Sequence, residues 1–160
     1  MADATNTGNG DAPQAPGPGI VVRMAGQYIK DLSFENPNIR RLIEAQGDNP
    51  RINVDLNVQP SKLPSNNLYE VVINFHAKAE NNIGIIYDLE IAYGGIYQIE
   101  NMPEPNLDPF LHVNCPFLLF PFLRRLVADI TREGGFPPLL LDPVDFAQLF
   151  EQRQQQARPN

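Results

Sequence analysis

The two histidines and the single cysteine are the residues of this chain best suited to bond-making chemistry, and His112 and Cys115 stand three apart. A His-x-x-Cys pair supplies half of a tetrahedral zinc site, but no second pair with ligand spacing completes it. The same two residues could act as nucleophile and base, with a helix N-terminus lowering the thiol pKa. Nothing supplies the third group that orients such a base. A lone cysteine also excludes an internal disulfide. Gly94-Gly95 lacks the further glycines of a phosphate loop or dinucleotide fingerprint, so the pair reads as a turn or bulge. We therefore expect no enzyme, no resident metal and no cofactor.

Acidic side chains form the more informative pattern. The chain has 160 residues, with 12 Lys+Arg against 19 Asp+Glu, for a net charge of −7. A sequence pI near 4.7 argues against nucleic-acid or anionic-membrane partners, which need a basic footprint. Asp31 and Glu35, four apart, fall on one side of a strand, as do Asp88 and Glu90 on another. Asp55 joins them if the strands share a sheet. Such a face has two readings. It is a solvated exterior that discourages edge pairing, or a docking surface that steers a basic partner.

The elements that must position these carboxylates are strands. Tyr28, Leu32 and Phe34 alternate with Asp31, Ser33 and Glu35; Ile52, Val54, Leu56 and Val58 alternate with Asn53, Asp55 and Asn57. Tyr69, Val71, Ile73, Phe75, Ala77 and Ala79 oppose Glu70, Asn74, His76 and Lys78, with Val72 out of pattern. Tyr87, Leu89, Ile91 and Tyr93 oppose Asp88, Glu90 and Ala92. Period-2 patterning with one wet face predicts an antiparallel sheet. Asn81-Asn82 and Gly84 predict a hairpin between the third and fourth strands, and 36–50 is long enough for a crossover.

Beyond Gly94-Gly95 the period lengthens. Leu119, Phe122, Leu123, Leu126, Val127 and Ile130 predict an amphipathic helix, stopped by Gly134-Gly135 and Pro137-Pro138. A second helix is expected from Asp142, with Pro143 at its first position and Phe146, Leu149 and Phe150 as its stripe. The fold class is α+β: a four-stranded antiparallel sheet followed by two or three helices packed on one face.

Residues 1–19 are rich in Gly and Pro and poor in large apolar side chains, so they read as a disordered arm; 152–160 read as a flexible polar tail. The domain is expected over 20–151. The N-terminus lacks the basic and apolar regions of a secretory signal, and the charge-free run Pro109–Leu123 is shorter than a membrane span. A soluble cytoplasmic chain without membrane insertion is expected. That run holds four Phe, four Leu and a Val, more than one side of a kinked helix buries in a small domain. With Phe136, Leu139, Leu140 and Leu141 it predicts an oligomer interface or a binding groove.

Several segments resemble, in order, the SecB family of bacterial protein-export chaperones. They are Lys30-Asp31-Leu32-Ser33-Phe34-Glu35-Asn36-Pro37, Tyr69-Glu70-Val71-Val72, Gly94-Gly95-Ile96-Tyr97, Cys115-Pro116-Phe117-Leu118-Leu119-Phe120-Pro121 and Gly134-Gly135-Phe136-Pro137-Pro138 running into Leu141-Asp142-Pro143-Val144-Asp145-Phe146. The resemblance implies a homotetramer, a dimer of dimers with helices sandwiched between two outer sheets. It implies an ATP-independent chaperone that binds unfolded precursor proteins, keeps them translocation-competent and delivers them to the SecA ATPase. By the same resemblance SecA docks on Asp31, Glu35, Asp88 and Glu90, although Asp88 stands where the family often has an apolar residue. Leu89, Ile91 and Tyr93 match positions tied to assembly and the buried sheet face, and Leu42, Ile43, Phe136, Leu140 and Phe146 are the expected substrate groove. Two other readings stay open on the residues alone: a small curved-sheet ligand-binding protein or enzyme, and an acidic adaptor for folded partners.

Overall fold

The structure, a computed structural model, describes residues 17–159. The expected arm at 1–19 therefore lies almost wholly outside the described residues. Four strands, β1 (Val21–Glu35), β2 (Arg51–Lys62), β3 (Leu68–Asn81) and β4 (Gly84–Glu100), form one antiparallel sheet in the order β1-β4-β3-β2. The chain crosses from one sheet edge to the other through 36–50, which carries the short helix α1 (Ile39–Glu44). Helices α2 (Glu104–Pro109), α3 (Cys115–Glu133) and α4 (Phe146–Ala157) follow, with a π-helical turn at Phe110–Asn114 between α2 and α3. The class is α+β, as the alternation predicts.

Cross-strand pairing sorts the side chains. Phe75 lies opposite Leu56 and Ile91, whereas His76 lies opposite Asp55 and Glu90. One face thus collects Val71, Ile73, Phe75, Ala77, Leu89, Ile91, Tyr93 and Tyr97, all buried. Helix α3 covers this face over β3 and β4 with Leu119, Leu123 and Val127, which are fully buried. Gly95 makes the approach possible, because a Cβ there would sit 2.9 Å from Leu119 Cδ2.

Three expectations are corrected here. Gly94-Gly95 does not end a strand; β4 runs straight through it to Glu100. Both glycines are required by close tertiary neighbours: a Cβ on Gly94 would meet the Tyr28 ring at 2.8 Å. Strand β1 is longer than its alternation suggests and carries register shifts between Met24 and Gly26 and between Ile29 and Asp31. The second shift reverses the phase, so Tyr28 joins the wet face opposite Gly94, and Ile29 takes its place on the apolar side. The last helix starts at Phe146 rather than Asp142. Its cap is Asp145, whose side chain accepts a hydrogen bond from Gln148 N at 3.0 Å. It runs to Ala157, within the 152–160 stretch expected as a polar tail.

The segment between α3 and α4 is extended and strapped to α3. Leu139 N donates to Thr131 Oγ1 at 2.9 Å, and Arg124 Nε donates to Leu141 O at 2.7 Å. Leu141 is buried, while Leu140 points out. Helix α3 ends as its glycines predict: Phe136 N bonds back to Thr131 O, and Gly135 takes φ +89°. The run Glu104–Glu133 is long and apolar enough to cross a bilayer by length and composition alone. It contains Pro109, Pro116 and Pro121, and its buried stripe is the core of the sheet–helix layer. Phe122, expected in that stripe, is 51% exposed, and Phe120 and Thr131 are buried instead.

Two consequences are measurable. Thr131 is fully buried and its hydroxyl both donates to Val127 O and accepts from Leu139 N. Thr131→Val keeps the volume but orphans the Leu139 N–H, and should lower stability by about 1–3 kcal/mol in urea unfolding. Cys115 is fully buried, and burial pushes its thiol up to about 12 from 9.0. At mildly alkaline pH an alkylating reagent should label it rapidly only after denaturation; equal labelling of the native protein would contradict the packing.

Candidate functional site

The wet face of the sheet is built by register. Asp55, His76, Glu90 and Ser33 form one row across β2, β3, β4 and β1. The next row sets Lys78, Asp88 and Glu35 side by side, and the row on the other side aligns Asn57, Asn74, Ala92 and Asp31. The expected docking carboxylates Asp31, Glu35, Asp88 and Glu90 are thus brought together on one surface, and Asp55 belongs with them. Asp31, Glu35, Asp55 and Glu90 are exposed, and among the described residues none of them forms an ion pair. A shallow depression of about 420 Å³ opens in the middle, with Asp31, Asp55, His76 and Glu90 on its walls.

His76 and Lys78 are the basic side chains set among these carboxylates. His76 Nε2 lies 2.6 Å from Asp88 Oδ1. Farther along the same face, Lys30 reaches from the β1 bulge to Glu70 at 2.6 Å. Burial raises the Tyr28 phenol pKa, and the neighbouring Glu70 carboxylate adds to the rise. The carboxylates without an ion-pair partner among the described residues therefore include Asp31, Glu35, Glu90 and Asp55, gathered on this part of the face. Like charges held open to water cost little there and attract a cationic surface over a range set by salt.

A second surface lies on the opposite face. Ile52 and Val54 project from the outer strand β2 and are 42% and 45% exposed, beyond the reach of α3. The strap at Leu139–Val144 runs beside them and leaves an apolar groove of about 390 Å³. Of the five expected groove residues, only Leu140 lines it. Ile43 is exposed on α1, and Leu42 is half-buried against the core. Phe136 packs against Tyr87 with the rings tilted and their centroids 5.3 Å apart. Phe146 is only 3% exposed, packed edge-on against Phe120, and so offers no contact surface. It reads as groove-like in sequence because it belongs to an amphipathic stripe, but that stripe faces inward. Ile52, Val54 and Val144 are the groove residues that sequence reasoning did not single out. Their alternation marks the inner face correctly; only the width of the helix layer leaves them open.

A third apolar surface borders β1. Val22, Met24, Ile29 and Leu32 lie on the inner face but are 39–48% exposed, because among the described residues α3 only borders this edge strand. On α3, Phe117, Leu118 and Phe122 are exposed as well. Leu89, Ile91 and Tyr93, by contrast, are buried within the protomer itself. His112 and Cys115 have structural surroundings. His112 Nδ1 lies 2.9 Å from Asp108 O, with the ring stacked on Phe150, and Tyr97 OH donates to Cys115 O. A buried thiol with a raised pKa is not a nucleophile.

A family model described as "Preprotein translocase subunit SecB" matches residues 15–157. A protein-export protein SecB of Sinorhizobium medicae is 43% identical over 151 residues, covering 94% of this chain and 88% of the relative. The protein of that name from Afipia carboxidovorans is 44% identical and is covered over the whole of both chains. Among solved structures, a Mycobacterium tuberculosis SecB-like chaperone in complex with a ChAD peptide from an antitoxin superposes with a TM-score of 0.61. It is 15% identical, with 77% of this chain and 90% of that one covered, and it supports the fold. The sheet with its acidic outer face and partly uncovered inner face is therefore that of the SecB family, the preprotein-export chaperones, to which this chain belongs.

Proposed function

We propose that the chain works as an ATP-independent holdase in the cytoplasm, assembled as a homotetramer, that captures unfolded secretory precursors and delivers them to SecA. The observation that carries this reading is the separation of two surfaces on opposite sides of one sheet. Unpaired carboxylates occupy the outer side, and uncovered apolar side chains flank the helix layer on the inner side.

Assembly follows from β1. It is a 15-residue edge strand whose inner face exposes Val22, Met24, Ile29 and Leu32 next to the exposed Phe117, Leu118 and Phe122 of α3. An uncovered edge of this length invites pairing, and a second copy satisfies it through a self-complementary contact. The exposed Phe117, Leu118 and Phe122 of α3 then supply the contact between dimers. This arrangement leaves the acidic face outermost.

Client capture falls to the groove along β2. Ile52, Val54 and Leu140 offer side-chain contacts for an extended apolar segment, and the edge of β2 offers backbone groups. Shallow apolar contact discriminates poorly between sequences, which suits a chaperone for many precursors. Four grooves on one particle add avidity through effective concentration.

SecA docking falls to Asp31, Glu35, Asp88 and Glu90, with Asp55 on the same surface. Reversing Asp31, Glu35 and Glu90 together to lysine should weaken SecA binding by about tenfold or more. Capture of a urea-denatured precursor should stay at its wild-type level, and light scattering should still give the mass of four chains. Unchanged SecA affinity would refute the docking assignment. Conversely, Val54→Asp should reduce precursor affinity by a similar factor and leave SecA binding intact, as read by titration calorimetry. A variant that retains full precursor affinity would remove the groove from the client site.

A further inference from the structure

We propose that His76, Asp88 and Glu90 form a divalent transition-metal site, of the kind zinc occupies, on the outer face of the sheet. Donor atoms from the three residues lie within 4.8 Å of one another. The set combines one imidazole nitrogen with two carboxylates. Hard cations such as calcium and magnesium prefer all-oxygen shells, so a nitrogen donor selects zinc and its neighbours in the transition series.

The positions are held by strand register rather than by loops. His76 and Glu90 are directly opposite on β3 and β4, and Asp88 precedes Glu90 by two residues on the same face of β4. His76 already presents Nε2 to Asp88 Oδ1 at 2.6 Å. Ligands about 2.0–2.2 Å from a common zinc ion stand roughly 3.2–3.6 Å apart, so this pair must open by somewhat more than half an ångström. Both side chains are about one-third exposed, which leaves room for that movement. The depression beside His76 and Glu90 is open to solvent, so water can complete the coordination shell.

Neighbouring charges act in both directions. Asp55, directly across from His76 on β2, adds a further carboxylate to the surroundings of the ion. Lys78 lies opposite Asp88 and opposes a cation, although its ammonium sits 3.9 Å from Glu80. The site shares Asp88 and Glu90 with the proposed SecA surface, but it needs only these side chains and their register.

The probe is zinc chloride titrated into the untagged full chain, read by calorimetry and by the imidazole resonances of the two histidines. We expect one equivalent per chain, with the His76 resonances shifted and those of His112 unmoved. His76→Ala and Asp88→Asn should each weaken binding at least tenfold, while His112→Ala and Asp31→Asn bind as wild type. Melting curves of the variants without metal identify any that have lost the fold. Calcium and magnesium should not displace zinc. No saturable binding below millimolar zinc, or wild-type affinity in a folded His76→Ala, would overturn the site.

Discussion

The pairing of β3 with β4 is the constraint on which the rest depends. Their residues are matched from Leu68–Gln98 to Asn81–Gly84 across a hairpin whose Gly84 has φ +139°. Side chains in a strand alternate with period two, so a slip of β4 by one residue against β3 would send Leu89 and Ile91 into water and Asp88 and Glu90 against α3. The same register thus builds the core and the acidic face. A glycine at the turn serves both, because a Cβ at Gly84 would also approach Asn38 Nδ2 to 2.9 Å. Asn38 itself donates to Ile85 O, tying the crossover to the hairpin.

Given that register, the helix layer is too narrow for the sheet. Helix α3 lies against the two central strands, brought close by Gly95, and the flanks on β1 and β2 remain open. In a lone domain such flanks are a liability; the function proposed above makes them the working surface. The asymmetry between them matters. The β1 flank adjoins exposed aromatic side chains of α3 and an unpaired strand edge, which suits a second copy. The β2 flank is bordered by the strap, whose alternation leaves Leu140 outward and Leu141 buried, and so forms a groove. On the proposed function, the two apolar edges and the charged face have separate occupants.

Most of this arrangement was legible in the chain. The alternation in β2, β3 and β4 marked both faces, and the carboxylates it gathered on one side stand together in the structure. What escaped local reading depended on distant neighbours. Gly94-Gly95 looks like a strand end because glycine usually marks one, and only the Tyr28 ring and Leu119 explain it inside a strand. The bulge before Asp31 reverses the phase of Tyr28 without any glycine or proline at the site to announce it. Pro143 suggested a helix start, but Leu141 is held in the extended strap by Arg124, and Asp145 provides the cap. Phe146 reads as a groove residue and is buried, because amphipathic pattern shows which face is apolar, not whether that face is covered.

The separation of client and motor surfaces is tested most directly by ternary binding. A tetramer saturated with a denatured precursor is titrated with SecA, and the mass of the complex is followed by light scattering. Opposite faces predict a ternary complex, with SecA affinity at least equal to that for the empty tetramer. Displacement of the precursor in proportion to SecA bound, without nucleotide, would mean that the two share one surface and would contradict the separation.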